Sequence, residues 1–146
     1  VLNKVLIIGR LVRDPIIRYL PSGTPTTEFG LVWNRRYKVE EEWKEESHFF
    51  DVKAYGSLAE NLSSKLSKGY TVVVEGRLAQ ERWTDQEGNT RSRVRIIAEA
   101  VRIIRKPRID EVEEEELLTK GIDIEEELKE FNKEKPPFDE DDEIPF

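Results

Sequence analysis

Residues 47–78, SHFFDVKAYGSLAENLSSKLSKGYTVVVEGRL, carry the reading that decides the fold. Ser47 to Gly56 alternates with a period of two. His48, Phe50, Val52 and Ala54 are mostly apolar and suit a core, while Phe49, Asp51, Lys53 and Tyr55 point the other way. The period then changes. Leu58, Ala59, Leu62 and Leu66 are spaced as on one face of a helix. Ser57 is the expected N-cap, with Glu60 completing a capping box, and Gly69 the expected C-cap glycine. From Tyr70 the chain reads as a strand again. One helix set between two strands, in a region with no other strong helical period, restricts the possible architectures sharply.

Working outward, Leu2 to Arg13 is a strand rich in Val, Ile and Leu, ended by Asp14-Pro15. Ile16 to Leu20 is a short extended run before the turn Pro21-Ser22-Gly23. Thr26 to Tyr37 is the second strand, and residues 38–46 (KVEEEWKEE) read as a charged loop projecting into solvent. After the third strand and the helix come Tyr70 to Trp83, a polar hairpin loop from Thr84 to Asn89, and Arg91 to Arg105. Gly9, Gly56 and Gly76 interrupt strands where bends or bulges are expected. Five strands with one helix between the third and fourth give an all-β class with one helix. The expected fold is the OB-fold, a five-stranded Greek-key barrel. A Greek-key sandwich is the alternative, and it usually needs more strands.

The net charge of −7 hides two unlike segments. Residues 1–107 hold 19 basic and 14 acidic side chains, net +5, whereas residues 108–146 hold 5 and 17, net −12. A basic domain with an acidic, largely disordered tail is the expected organisation. Residues 108–138 would be a linker carrying a transient helix near Ile124, Leu128 and Phe131, and residues 139–146 a separate tip.

Several function classes fall away. With no cysteine there is no disulfide framework, thiolate zinc site or cysteine nucleophile, and one histidine, His48, cannot make a multi-histidine metal site. No cofactor and no metal are expected. No G-x-S-x-G elbow, H-E-x-x-H motif or P-loop is present, so no enzymatic activity is expected. No apolar run approaches the roughly 20 residues of a membrane span, so no membrane partner is expected.

The positive signal is aromatic and basic residues alternating on strand faces. Phe49 and Tyr55 interleaved with Asp51 and Lys53 make a poor core but a good stacking platform for unpaired bases. Arg91, Arg93 and Arg95 form a basic stripe on the last strand, and Trp83 ends the strand before it. Arg35-Arg36-Tyr37 closes the second strand in the same manner. The bland alternative is a solvated face, or packing of Phe49 and Tyr55 at a loop or subunit contact. Trp33 shares the parity of Phe29 and Leu31, which favours core or interface for it.

Six motifs occur in order. They are NKVLIIGRL (3–11), DPIIRYLPSG (14–23), FFDVKAYGSLAE (49–60), KGYTVVVEGRL (68–78), RWTDQEG (82–88) and DDEIPF (141–146). Through them the sequence resembles the bacterial single-stranded DNA-binding protein (SSB) family over the whole chain except the middle of the tail. The resemblance implies a homotetrameric OB-fold, cytoplasmic and nucleoid-associated, that wraps single-stranded DNA in replication, recombination and repair. It places base stacking on Tyr37, Phe49, Tyr55 and Trp83. Candidate phosphate contacts are Lys4, Arg10, Arg35, Arg36, Lys53, Arg77, Arg82, Arg91, Arg93 and Arg95. The resemblance also implies a tip that docks replication, recombination and repair proteins: Asp139, Glu140, Asp141, Asp142, Glu143, Ile144, Pro145 and Phe146. An acidic tether with an apolar end suits a basic-rimmed pocket. An RNA-binding or primosomal OB-fold module is the alternative function. A scaffold whose OB domain only oligomerises, and a nuclease, rank lower.

Overall fold

A computed structural model describes residues 1–107. The linker and tip expected over residues 108–146 lie outside the described residues. Runs rich in β-branched residues form extended strands because those side chains pack well on a pleated surface. The elements, in order, are β1 (Val5–Leu11), β2 (Ile16–Tyr19), β3 (Pro25–Val39), β4 (Glu42–Tyr55), α1 (Gly56–Lys65), β5 (Thr71–Thr84) and β6 (Thr90–Arg105).

The strands hydrogen-bond in the order β1-β5-β6-β4-β3-β2. β1 also pairs with β3 through Arg10↔Val32 and Leu11↔Leu31, which closes β1, β5, β6, β4 and β3 into a five-stranded barrel. β4 and β6 are parallel at Val52↔Ile96 and Lys53↔Ile97, and the other pairings are antiparallel. The all-β, OB-type barrel with its helix between the third and fourth barrel strands is as the sequence implies. The extended run Ile16–Tyr19 is in addition a true strand, laid along β3 from Ile16↔Glu28 to Tyr19↔Pro25. Closure leaves few free edges to template pairing with another chain.

The core is the inward parity of each strand together with the buried face of α1. Leu11, Phe29, Leu31, Val52, Val72, Val74 and Ile96 pack there with Ala59, Leu62 and Leu66 of the helix and its C-cap. Each large aliphatic side chain withdrawn from water contributes about 1.5–3 kcal/mol. The helix is fixed to β3 by a buried hydrogen bond in which Thr27 Oγ1 donates to the Ala59 carbonyl at 2.7 Å.

Three local expectations change. The helix begins at Gly56, not after Ser57: its N-cap is Tyr55, which makes no side-chain cap bond. Gly56, at φ +67°, turns the chain from strand to helix in a conformation costly for other residues. The C-cap is Leu66, whose N–H reaches the Leu62 carbonyl at 3.0 Å, whereas Gly69 forms the following turn and donates to the Leu11 carbonyl at 2.9 Å.

The third change is larger. Residues 38–46 are not a loop. β3 and β4 run in unbroken register from Thr26↔Tyr55 to Val39↔Glu42 and are joined only by Glu40 and Glu41, at φ 48° and 71°. Positive φ at both central residues is the type I′ hairpin geometry. The charge run is compatible with a ladder because opposite charges meet across it, as at Arg35↔Glu46 and Arg36↔Glu45.

Candidate nucleic-acid interface

The outward face of β4 carries Phe49, Asp51, Lys53 and Tyr55, opposite Val32, Gly30, Glu28 and Thr26 of β3. β6 and β5 extend the same face. Glu81 lies opposite Arg93, and Trp83 opposite Arg91. Asp51 Oδ2 lies 3.2 Å from Arg93 Nη2 and 3.1 Å from Arg95 Nη2, so the odd-numbered residues of β4 and of β6 share one surface. Phe49, Tyr55 and Trp83 therefore look out from a single face, all three half-buried.

Between these aromatics the face is closed by a charge cluster drawn from four strands. Glu28 Oε1 accepts from Arg95 Nη1 at 3.0 Å and lies 4.0 Å from Lys53 Nζ. Glu81 lies 3.5 Å from Arg93 and 3.4 Å from Arg95. Glu28, Asp51 and Glu81 balance Lys53, Arg93 and Arg95, so the cluster is neutral. Burial opposes the charge on Arg95, but Asp51, Glu81 and Glu28 together outweigh it and hold its pKa above the usual arginine value. Nε and Nη1 of Arg93 and Nε of Arg95 find no hydrogen-bond partner among the described residues. A buried ion-pair network seldom adds net stability, because desolvation offsets the Coulombic gain.

The cluster sets three of the expected phosphate contacts apart from the rest. Lys53 and Arg95 have side chains only 2% and 3% exposed, and Arg93 9%, with their charges directed to carboxylates inside the cluster. The alternation of charge is real, but neighbouring strands cover it. On the predicted basic stripe only Arg91 is open to solvent, and its Nε lies 2.9 Å from Asp85 Oδ2. Asp85 also accepts from the backbone N–H groups of Glu87 and Asn89 at 3.0 and 2.8 Å. The Arg91 contact first, then these amides, hold its carboxyl below the usual aspartate range. The loop beside Trp83 is thereby built around one carboxylate.

The remaining cations are spread around the barrel. Arg10 pairs across to Val32, which is itself opposite Phe49, so Arg10 borders the same face. Arg36 does too, opposite Glu45. Lys4 is ion-paired with Glu75, Arg77 lies 3.9 Å from Glu99, and Arg82 donates to Gln80 at 3.0 Å.

Tyr37 is placed differently from the other expected stacking residues. It lies opposite Lys44, in the parity of Trp33 and His48, on the reverse face of the β3–β4 hairpin. A hydrogen bond to Glu46 raises the pKa of the Tyr37 hydroxyl, and the guanidinium of Arg35 sits 5.1 Å from its ring centroid. His48 and Trp33 face each other at 5.3 Å. His48, expected to suit the core, instead has a side chain 43% exposed and bonded to Glu46 at 3.3 Å. Trp33 is 40% exposed, which removes the core option.

One exposed aromatic of the β3–β4 hairpin was not singled out in the sequence. Trp43, within the segment read as a loop, is 66% exposed on β4 and has the parity of Phe49 and Tyr55. Its signal was present in that shared odd parity, and was hidden by the charge run around it.

Known proteins share the fold and resemble the sequence. A structure titled "Plasmodium falciparum SSB complex with ssDNA" superposes with a TM-score of 0.67 at 23% identity, over 72% of this chain and 97% of that one. The single-stranded DNA-binding protein of Aquifex aeolicus is 58% identical across 99% of both chains. That of Thermotoga maritima is 38% identical over 93% of this chain and 97% of its own. The model of the Single-strand binding protein family matches residues 2–104. With that match spanning nearly the whole barrel domain, the chain belongs to the single-strand binding protein family.

Proposed function

We propose that this chain binds single-stranded DNA without regard to sequence, in DNA replication, recombination and repair, and does so without enzymatic activity. The observation that carries the reading is Phe49, Tyr55 and Trp83 on one outward sheet face. Every base has a π-face, so stacking on such a platform is indifferent to sequence. Arg10, Arg36 and Arg91 border it and supply charge for phosphates. Tyr37 stacks from the reverse face of the hairpin, which suits DNA that passes around the arm. Lys4, Arg35, Arg77 and Arg82 are further phosphate contacts. Lys53, Arg93 and Arg95 act as the supporting floor.

Self-association into a homotetramer is part of the reading. Leu6 and Ile8 on the outer face of β1 are 71% and 54% exposed, an apolar pair that a second copy would cover. The tip Asp139–Phe146 recruits replication, recombination and repair proteins, and the −12 segment competes with DNA for the +5 domain.

The test is a titration with oligo(dT) at several salt concentrations, with sizing of the free protein and of the complex. Quenched tryptophan fluorescence, a tetramer mass, and log affinity falling with log salt by about 0.7 per neutralised phosphate are the expected results. Deleting residues 108–146 tightens binding at low salt. Equal affinity for duplex DNA, or stronger binding of oligo(U), overturns the assignment.

A further inference from the structure

The register of the β3–β4 hairpin carries one step more. Residues 43, 49 and 55 are separated by even numbers along an unbroken strand, so Trp43 stands on the outward face that bears Phe49 and Tyr55. Six residues of strand span about 20 Å, which puts Trp43 roughly 20 Å beyond Phe49 along the arm. It lies opposite Lys38, one residue from the Glu40-Glu41 turn, beyond the barrel core. Its indole is 66% exposed. Its ring is therefore open to a ligand that can offer a π-face.

The surroundings select what covers it. The guanidinium of Arg36 lies 5.7 Å from the Trp43 ring centroid, and Lys38 is its cross-strand neighbour. On this face Arg36 and Lys38 outnumber Glu45, so the indole is set among cations although the hairpin as a whole carries many carboxylates. A π-face flanked by cations, in line with two others on the same strand, matches the pattern of a base bracketed by phosphates.

We propose that Trp43, with Arg36 and Lys38, is an additional base-stacking site that carries single-stranded DNA from the Phe49 platform outward along the β3–β4 arm. The inference rests on the single-stranded DNA reading above. Trp43 then lengthens the DNA track of each subunit.

The test uses the full chain with Trp33→Phe and Trp83→Phe, which leaves Trp43 as the sole tryptophan and keeps a π-face at position 83. Saturating long oligo(dT) quenches its fluorescence. Separately, Trp43→Ala and Trp43→Leu each weaken oligo(dT) binding by about five-fold or more, from the roughly 1–3 kcal/mol of a base–aromatic stack, while Trp43→Phe retains most of the affinity. Unchanged emission together with unchanged affinity in Trp43→Ala overturns the inference and leaves the wild-type binding reading standing. Full affinity in Trp43→Leu overturns it in favour of plain apolar contact. A fall in assembly mass in Trp43→Ala overturns it in favour of a subunit contact. Failure of the wild-type chain to bind oligo(dT) strikes the underlying reading instead.

Discussion

Arg95 and Asp51 meet at 3.1 Å, with side chains 3% and 2% exposed, beneath a face that alternation alone marks as solvent-facing. Arg95 comes from β6 and Asp51 from β4, and the two strands pair in parallel only at Val52↔Ile96 and Lys53↔Ile97. The ion pair therefore helps hold the place where the chain returns from α1 and β5 to complete the barrel.

Removing the arginine leaves Asp51 and Glu28 buried with too little positive charge. Breaking a buried ion pair from one side costs about 3–5 kcal/mol. Arg95→Met should lower the free energy of unfolding by that order, read as an earlier midpoint in urea. Lys53→Met should cost less, because it leaves the Arg95 contacts to Glu28, Asp51 and Glu81 intact. A neutral result for Arg95→Met would show that the cluster is structurally idle.

Phe49 and Trp83 look out from one face, so both should touch the same bound strand. Phe49→Ala and Trp83→Ala should each weaken oligo(dT) binding by about 1–3 kcal/mol, in a direct titration. Neither should move the slope of log affinity against log salt, because no phosphate contact is lost. Arg91→Ala should do the reverse and flatten the slope.

Gly76 sits where the β5–β6 register shifts, and a Cβ there would meet the Ile97 carbonyl oxygen at 2.1 Å. Backbone cannot yield as a flexible side chain does. Gly76→Ala should destabilise the domain by about 1–3 kcal/mol, the usual cost of overpacking, measured by thermal or urea unfolding. Gly23→Ala tests a different cause: nothing lies within 4 Å of its Cβ position, so any cost there comes from its φ of +85°.

Asp85 gives the loop beside Trp83 a pH dependence of known sign. Its folded pKa is lowered, chiefly by Arg91 and then by the Asn89 and Glu87 amides. The ionised form is thus favoured in the folded loop. Its contribution is fully present above the ordinary aspartate pKa of about 3.9 and is lost as pH falls through the lowered value. Amide exchange at Glu87 and Asn89, corrected for intrinsic rate, should lose protection on acidification through that window. Asp85→Asn should remove the dependence, and a wild-type loop insensitive to acid would contradict the assignment.

Much of the fold is local and was legible in the sequence. Period-two alternation marks β4, apolar residues at 58, 59, 62 and 66 mark α1, and β-branched runs mark β1, β5 and β6. These signals are intrinsic to the chain, because a strand or helix face must be apolar wherever it meets a core. The same alternation placed Phe49 and Tyr55 on the outward face. What local pattern does not contain is the identity of the cross-strand neighbour. KVEEEWKEE reads as a loop until pairing sets Arg36 against Glu45, and Trp43 then joins the face of Phe49. Lys53, Arg93 and Arg95 read as open cations until Glu28, Asp51 and Glu81 arrive from strands distant in sequence. Alternation determines which side of a strand a residue takes. Whether that side is wet, and which charges remain to meet a ligand, is decided only when the barrel closes, because burial and pairing are properties of the neighbours.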